Sequence, residues 1–448
     1  MKNIFVMLLA LALSTVFTLA HAAESTSVIK DWPQFLGPDR NGTSPETGLA
    51  RSWPPGGPKV LWTVSLGQGF GGAAVRAGRV YVLDREGATQ DILRCFDLEQ
   101  GKELWRFAYD APGKVDFGGS RTVPAVDDRF VFISGPFGQF HCLDLKTQTV
   151  VWKTNLVKEF DGKIPMWGLS QNPLLMENLV IVAPQGRKAG IVAFDKATGR
   201  LVWKSPFFEE MMAPGWSGSY ASPMPVILGG VQQILFATSQ SGDGKNAPPG
   251  RVFGVSAQDG SVLWSHEGWR CPLTIVSPMS PVQDHVFLTG AYDAGSWMLK
   301  IEKSGSKFTV AEVFKTLECG SIMQQPILYN GHLYVISNGQ ERREGLMCLS
   351  IDGKVLWHTT NSKFVSKAAA GLPNFDAGNL LLADGLLFIL DGKTGDLRLV
   401  GPNPQGYKEL AVLPAVLSGK QIWAPMALAD GRLIIRDQTQ MKCLDVRR

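Results

Sequence analysis

Short apolar runs alternate with polar turn residues along most of the chain, and almost nowhere does the period of a helix appear. Leu179-Val180-Ile181-Val182-Ala183 and Arg79-Val80-Tyr81-Val82-Leu83 are clear cases. So are Phe130-Val131-Phe132-Ile133, Val286-Phe287-Leu288, His332-Leu333-Tyr334-Val335-Ile336 and Arg432-Leu433-Ile434-Ile435. Their β-branched and aromatic content suits a pleated surface, so each predicts a strand. Dipeptides such as Asn330-Gly331 and Asp430-Gly431 precede several of them and predict tight hairpins.

A longer pattern is superimposed on this alternation. Cys95-Phe96-Asp97-Leu98-Glu99-Gln100-Gly101-Lys102-Glu103-Leu104-Trp105 recurs as Cys142 to Trp152, Ala193 to Trp203, Gly254 to Trp264 and Cys348 to Trp357. Each copy reads as strand, turn, strand. Gly101, Gly199, Gly260 and Gly353 supply the positive φ of the turn, and an Asp or Ser ahead of it caps the turn's N–H groups. Gln148 stands at the glycine position of the second copy, which predicts a looser or differently shaped turn there. A sixth copy is cut in two: Cys443-Leu444-Asp445 ends the sequence and Lys59-Val60-Leu61-Trp62 lies near its start.

With two more strands upstream of each hairpin, the unit is a four-stranded antiparallel blade. Trp62, Trp105, Trp152, Trp203, Trp264 and Trp357 mark six outer strands. Degenerate copies at Phe308 to Phe314 and Tyr407 to Val412 fill the gaps, with spacings of 43 to 61 residues. The expectation is an all-β, eight-bladed propeller closed by pairing of its N- and C-terminal strands, so that Trp62 shares a blade with Asp445. A seven-blade count requires reading one degenerate copy as an insertion.

Composition adds compartment and excludes some chemistry. The chain has 448 residues and a net charge of +4 with both signs interspersed, and no basic run suggests nucleic-acid binding. Met1-Lys2-Asn3 leads into an apolar run from Ile4 to Leu19, followed by Ala20-His21-Ala22. This predicts a signal peptide over 1–22, an extension over 23–58 and the propeller over 59–448. No later stretch is long and apolar enough to span a bilayer, and no cysteine follows the cleavage site to carry a lipid. The expected product is soluble, monomeric, and periplasmic or extracellular. Four of the six cysteines share one repeat position with Ala193 and Gly254, which reads as tight interior packing. Cys271 and Cys319 lie outside that position, and a bridge between them is the alternative to free thiols.

Asp195-Lys196-Ala197-Thr198-Gly199-Arg200-Leu201-Val202-Trp203, with Ala193 ahead of it, resembles the repeat of the pyrroloquinoline-quinone (PQQ) type propellers. The resemblance covers residues 59–448, and the leader Asp31-Trp32-Pro33-Gln34-Phe35-Leu36-Gly37-Pro38 looks like that of exported BamB-like propellers. In that family the repeat tryptophan packs on the glycine turn of the neighbouring blade. The dehydrogenase branch implies PQQ over the central channel, with calcium ligated by Glu, Asn and Asp. Glu318, Asn374 and Asp376 have those types, but nothing in their spacing points to a shared ion, and there is no vicinal cysteine pair.

No nucleophile elbow, HExxH or paired-histidine motif is present either, so no catalytic residue, no metal ligand and no resident cofactor is assigned. Candidate ligand residues lie where the chain crosses from one blade's outer strand to the next blade's inner strand: Arg121, Trp167, Gln171, Trp216, Tyr220, Gln324, Asn374, Asp376 and Trp423. Aromatic rings beside amides suit a flat ligand, a sugar or a peptide. The reading is a non-catalytic binding or scaffold module for an envelope protein or small ligand. The alternatives are a PQQ-dependent oxidoreductase and a carbohydrate-binding accessory protein.

Overall fold

Eight small antiparallel sheets follow one another round a ring in the computed structural model, which describes residues 31–206, 208, 218–242, 246–338, 343–360, 372–373 and 375–448. Blade 1 comprises Ala74–Arg76, Arg79–Glu86, Gln90–Asp97 and Glu103–Asp110. Blade 2 runs from Ala125–Val126 to Thr149–Asn155, blade 3 from Leu174–Met176 to Leu201–Lys204, and blade 4 from Met224–Leu228 to Val262–Trp269. Blade 5 has three strands, His285–Gly290, Gly295–Ser304 and Lys307–Thr316, and Met279 bridges to Phe287 where an inner strand would lie. Blade 6 runs from Ile327–Tyr329 to Val355–His358 and blade 7 from Asn379–Ala383 to Glu409–Leu413. The expected eight-bladed all-β ring is therefore present, and both degenerate copies are outer strands.

Blade 8 closes the ring. Its strands Ala427–Ala429, Arg432–Arg436 and Gln440–Asp445 are completed by Lys59–Ser65, with Lys59 opposite Asp445 and Trp62 opposite Cys443. The same register holds elsewhere: Cys95 faces Trp105, Cys142 faces Trp152, Ala193 faces Trp203 and Gly254 faces Trp264. A bulge beside each of these pairs shifts the register by one residue, which the alternation alone does not reveal. The pairing explains the small residue. A Cβ on Gly254 would lie 2.5 Å from Trp264 Nε1. All six cysteines are buried and free, and burial pushes the Cys95, Cys142, Cys271 and Cys443 thiols up to about 12.

At three seams the repeat tryptophan locks one blade to the next. Trp62, Trp152 and Trp203 lie so close over Gly101, Gly199 and Gly260 that an added Cβ would meet the ring at 2.5–2.6 Å. Their indole N–H groups donate to Leu98 O, Lys196 O and Ala257 O at 2.8, 2.8 and 3.1 Å. Phe314 takes this place in degenerate blade 5, over Gly353. The turn at Gln148 is not differently shaped, contrary to the sequence-based expectation. Gln148 adopts φ 59°, and its N–H bonds Asp144 O at 2.8 Å just as Gly101 bonds Asp97 O at 2.9 Å. Asp144 Oδ1 still caps the turn through Lys146 N and Thr147 N. The side chain therefore bears backbone strain that glycine avoids. Gln148→Gly is expected to raise unfolding free energy by up to ~1 kcal/mol in urea denaturation, or to leave it unchanged where unfolded-state entropy cancels the gain.

Apolar cores lie between adjacent blades. Between blades 1 and 2, Leu83, Leu93 and Cys95 meet Val131, Ile133 and Leu143. At the edge of this core His141 packs 4.4 Å from the Tyr109 ring. Burial, with Lys153 adding to it, lowers the His141 pKa to about 4. Its imidazole stays neutral in the fold, whereas the unfolded chain takes up a proton near the ordinary value of ~6.5. This contribution is present above about pH 6.5 and is lost as pH falls toward 4, an effect of ~2 kcal/mol. His141→Gln is expected to flatten that part of the stability–pH curve, read from urea midpoints at pH 7 and pH 4.5.

The leader packs across the base of the ring, and there it crosses the axis and touches every blade. Trp32 pairs with Val75 of blade 1, and Pro33 O accepts from Val126 N of blade 2 at 2.8 Å. The Arg40 guanidinium donates to Pro173 O of blade 3 at 2.8 Å and Pro223 O of blade 4 at 3.1 Å. Leu36 joins the core of blades 4 and 5, and Gly42 faces Ile327 of blade 6. Thr43–Ser44 adds a parallel strand to the inner edge of blade 7, and Glu46 Oε2 accepts from Gly431 N of blade 8 at 2.6 Å. Residues 1–30, with the expected signal peptide, lie outside the described residues. Among the described residues no helix is long and apolar enough to cross a membrane.

Candidate functional site

The described parts of the crossovers from an outer strand to the next inner strand run over one face of the ring, and the leader occupies the opposite, hairpin face. Six crossovers end in Pro just before the inner strand: Pro124, Pro173, Pro223, Pro278, Pro326 and Pro425. Proline lacks an N–H and tolerates that strand start. The residue ahead of it carries a polar relay round the channel wall. Asn172 Oδ1 accepts from Val123 N at 2.7 Å, and Asn172 Nδ2 donates to Ser222 Oγ at 3.0 Å. Ser222 N donates to Ser277 Oγ at 2.9 Å, and Gln325 Nε2 donates to Ser277 O at 3.2 Å. Blades 2 to 6 are thus tied together beside the axis, which fixes the crossovers above.

Above this relay the channel opens into a pocket of about 480 Å³, lined by residues from all eight blades. Its floor includes Phe35 of the leader, so the channel is blind from the crossover face. One side is an aromatic arc. Phe70 stacks on Trp423 at 5.4 Å, Trp423 meets Phe117 at 5.6 Å, Phe117 meets Trp167 at 6.2 Å, and Trp167 meets Tyr220 at 5.1 Å. The other side is mostly aliphatic, with Ile275, Ile322, Met323 and Ala377 beside Tyr292 and Asp376.

Polar groups in the lining are few and held in place. Arg121 lies 5.3 Å from the Phe70 ring and donates to Gly119 O at 2.8 Å and Asp116 O at 2.6 Å. Burial lowers its pKa to about 10. Tyr220 accepts from Trp167 N at 3.3 Å, and burial pushes its hydroxyl up to about 12. Asp376 N donates to Asp391 Oδ2 at 3.1 Å, and the Asp391 Oδ1 atom caps its own turn through Lys393 N and Thr394 N. Ser170 Oγ is buried in the wall without a hydrogen-bond partner.

The structure thus brings together five of the nine residues singled out from the sequence: Arg121, Trp167, Tyr220, Asp376 and Trp423. Gln171 and Gln324 are 4% and 3% exposed and lie outside the lining; Gln171 Nε2 instead donates to Ser219 O. Trp216 and Asn374 lie outside the described residues. Phe35, Phe70 and Phe117 were missed. The signal for the latter two was the one used for Trp167: an aromatic residue in a crossover.

The residues do not fit a calcium-bound quinone. Asp376 is the one carboxylate among the described lining residues, and Glu318 is exposed outside the lining. Among the described residues no three His, Cys, Asp or Glu side chains are grouped to hold a metal ion.

Comparisons with known proteins bear on the whole ring. Residues 88–337 match the family model described as outer membrane protein assembly factor BamB. A search of the curated proteins finds no match. Among solved structures, BamB from Moraxella catarrhalis is 15% identical with a TM-score of 0.56, over 86% of this chain and 99% of that one. A europium-containing methanol dehydrogenase is 14% identical with a TM-score of 0.58, over 93% and 89% of the two chains. The quinohemoprotein alcohol dehydrogenase from Comamonas testosteroni is 14% identical with a TM-score of 0.59, over 93% and 80%. At such identities these likenesses establish the fold alone.

Proposed function

For a chain that belongs to the family of the outer membrane protein assembly factor BamB, we propose a non-catalytic binding role. It is read as an exported, monomeric propeller of the cell envelope that presents its crossover face to a protein or small ligand. The observation that carries this reading is the blind aromatic pocket, framed by all eight blades and floored by the chain's own leader. A concave, mostly apolar site with a few fixed polar groups is the usual form of a binding site. Among the described residues the lining supplies rings for contact and one carboxylate, and no nucleophile paired with a base. The family's name supports a place in envelope assembly, and the apolar run before Ala22 supports export.

The test is reconstitution. The protein is incubated with PQQ and calcium and assayed for dye-linked oxidation of primary alcohols. The proposal expects no turnover above the protein-free blank. Stoichiometric uptake of PQQ together with turnover would replace it with an oxidoreductase.

A further inference from the structure

We propose that the crossover face holds an extended apolar peptide, with one side chain seated in the axial pocket and its neighbours on the rim at either side. The proposal rests on the reading of that face as the binding face. It is motivated by where large apolar side chains are left in water. Phe117 is 43% exposed on the crossover between blades 1 and 2. Ile164 and Met166 are 46% and 61% exposed on the crossover between blades 2 and 3. Leu317 is 53% exposed on the crossover between blades 5 and 6. Eight blades divide a ring at about 45° each, so these two groups face one another nearly across a diameter, with the pocket mouth between them. The other exposed large apolar residues on the described surface are scattered over outer strands and hairpin-face turns, as Val151, Val313 and Ile351 are, or sit at the hairpin end of an inner strand, as Ile227 does, where scattered apolar residues need no explanation.

Apolar residues of the pocket wall lie between the two rim groups. Phe117 belongs both to the rim and to the aromatic arc, through Trp167 and Trp423. On the far side Ile322 and Met323, a few residues beyond Leu317, line the pocket. A ligand confined to the pocket leaves both rim groups solvated. An extended chain presents every second side chain to one surface at a rise of ~3.3 Å per residue, and so meets the three apolar stations in turn. Exposed Asp116, Asp161, Lys163 and Glu318 interleave with the rim residues. Charges of both signs around an apolar centre are the anatomy of a protein interface, and they disfavour insertion into lipid.

The experiment uses the full chain and a fluorescein-labelled peptide of about nine residues that alternates Phe with Thr. Comparison probes are the same residues with all Phe at one end, N-acetylphenylalanine amide, and phosphatidylcholine vesicles. The alternating peptide is expected to bind best, with Met166→Asp and Leu317→Asp each weakening it about tenfold. Both positions are more than half exposed, so unchanged melting temperatures are expected to accompany the loss. If N-acetylphenylalanine amide binds while the peptide gains nothing from the rim, the peptide inference falls and the binding face stands. If no probe binds, both fall. Vesicle binding abolished by Met166→Asp would overturn the peptide in favour of a lipid surface.

Discussion

Trp62→Ala is expected to cost about 3–5 kcal/mol of unfolding free energy, and Trp105→Ala clearly less, although both remove the same side chain from the same repeat position. Trp62 is 7% exposed, donates to Leu98 O and covers Gly101. It also lies at the seam where blade 8 is assembled from both ends of the sequence, so its loss weakens the contact that holds the ring shut. Trp105 is half-buried, and its indole N–H is buried without a partner. The turn it would cover in blade 2 carries Gln148 in place of glycine, which keeps the turn and loses the docking site. Urea denaturation of the two variants side by side checks the claim. Equal costs would mean that burial within each blade, and not docking on the glycine turn, sets the value of the tryptophan.

Trp32→Ala is expected to be about as costly, ~3–5 kcal/mol, from a segment that belongs to no repeat. The ring is 2% exposed and lies over Gly37, where a Cβ would be 2.9 Å from it. The backbone of Trp32 pairs with Val75 through bonds of 3.0 and 2.7 Å. Losing this anchor at the start of the leader is expected to expose the segment to protease and to loosen the pocket floor at Phe35. Phe35→Ala, which removes only the floor, is expected to leave stability nearly intact and to lower ligand affinity. A cost below 1 kcal/mol for Trp32→Ala, measured by denaturation, would show the leader to be an accessory to the ring.

The ring was legible because its determinants are local and repeated. Short β-branched and aromatic runs marked the strands, and glycine with Asp marked the turns. The split copy at Trp62 and Cys443 predicted the closing pair, since each half lacked the strand that the other carried. The register bulges were not legible, because such runs mark a strand and not the extra residue within it. The leader's path was only coarsely legible. Its partners are carbonyls such as Pro173 O and Pro223 O, brought together only when the ring is closed.

The candidate site was half legible for a related reason. Position in a crossover placed Trp167, Tyr220 and Trp423 near the axis. It did not give the direction of a side chain in irregular backbone, so Gln171 and Gln324 turned away. The recurring proline before the inner strands was the unread signal. It marks Asn172, Ser222 and Ser277 as equivalent positions that carry the polar relay.

The central claim is that binding occurs at the crossover face. The direct measurement compares affinity for the alternating peptide in Trp167→Ala, on the pocket wall, and Ile227→Asp, where the native side chain is 63% exposed near the hairpin face. The account predicts a loss of tenfold or more for Trp167→Ala and wild-type affinity for Ile227→Asp. Binding that survives Trp167→Ala and fails in Ile227→Asp would contradict it.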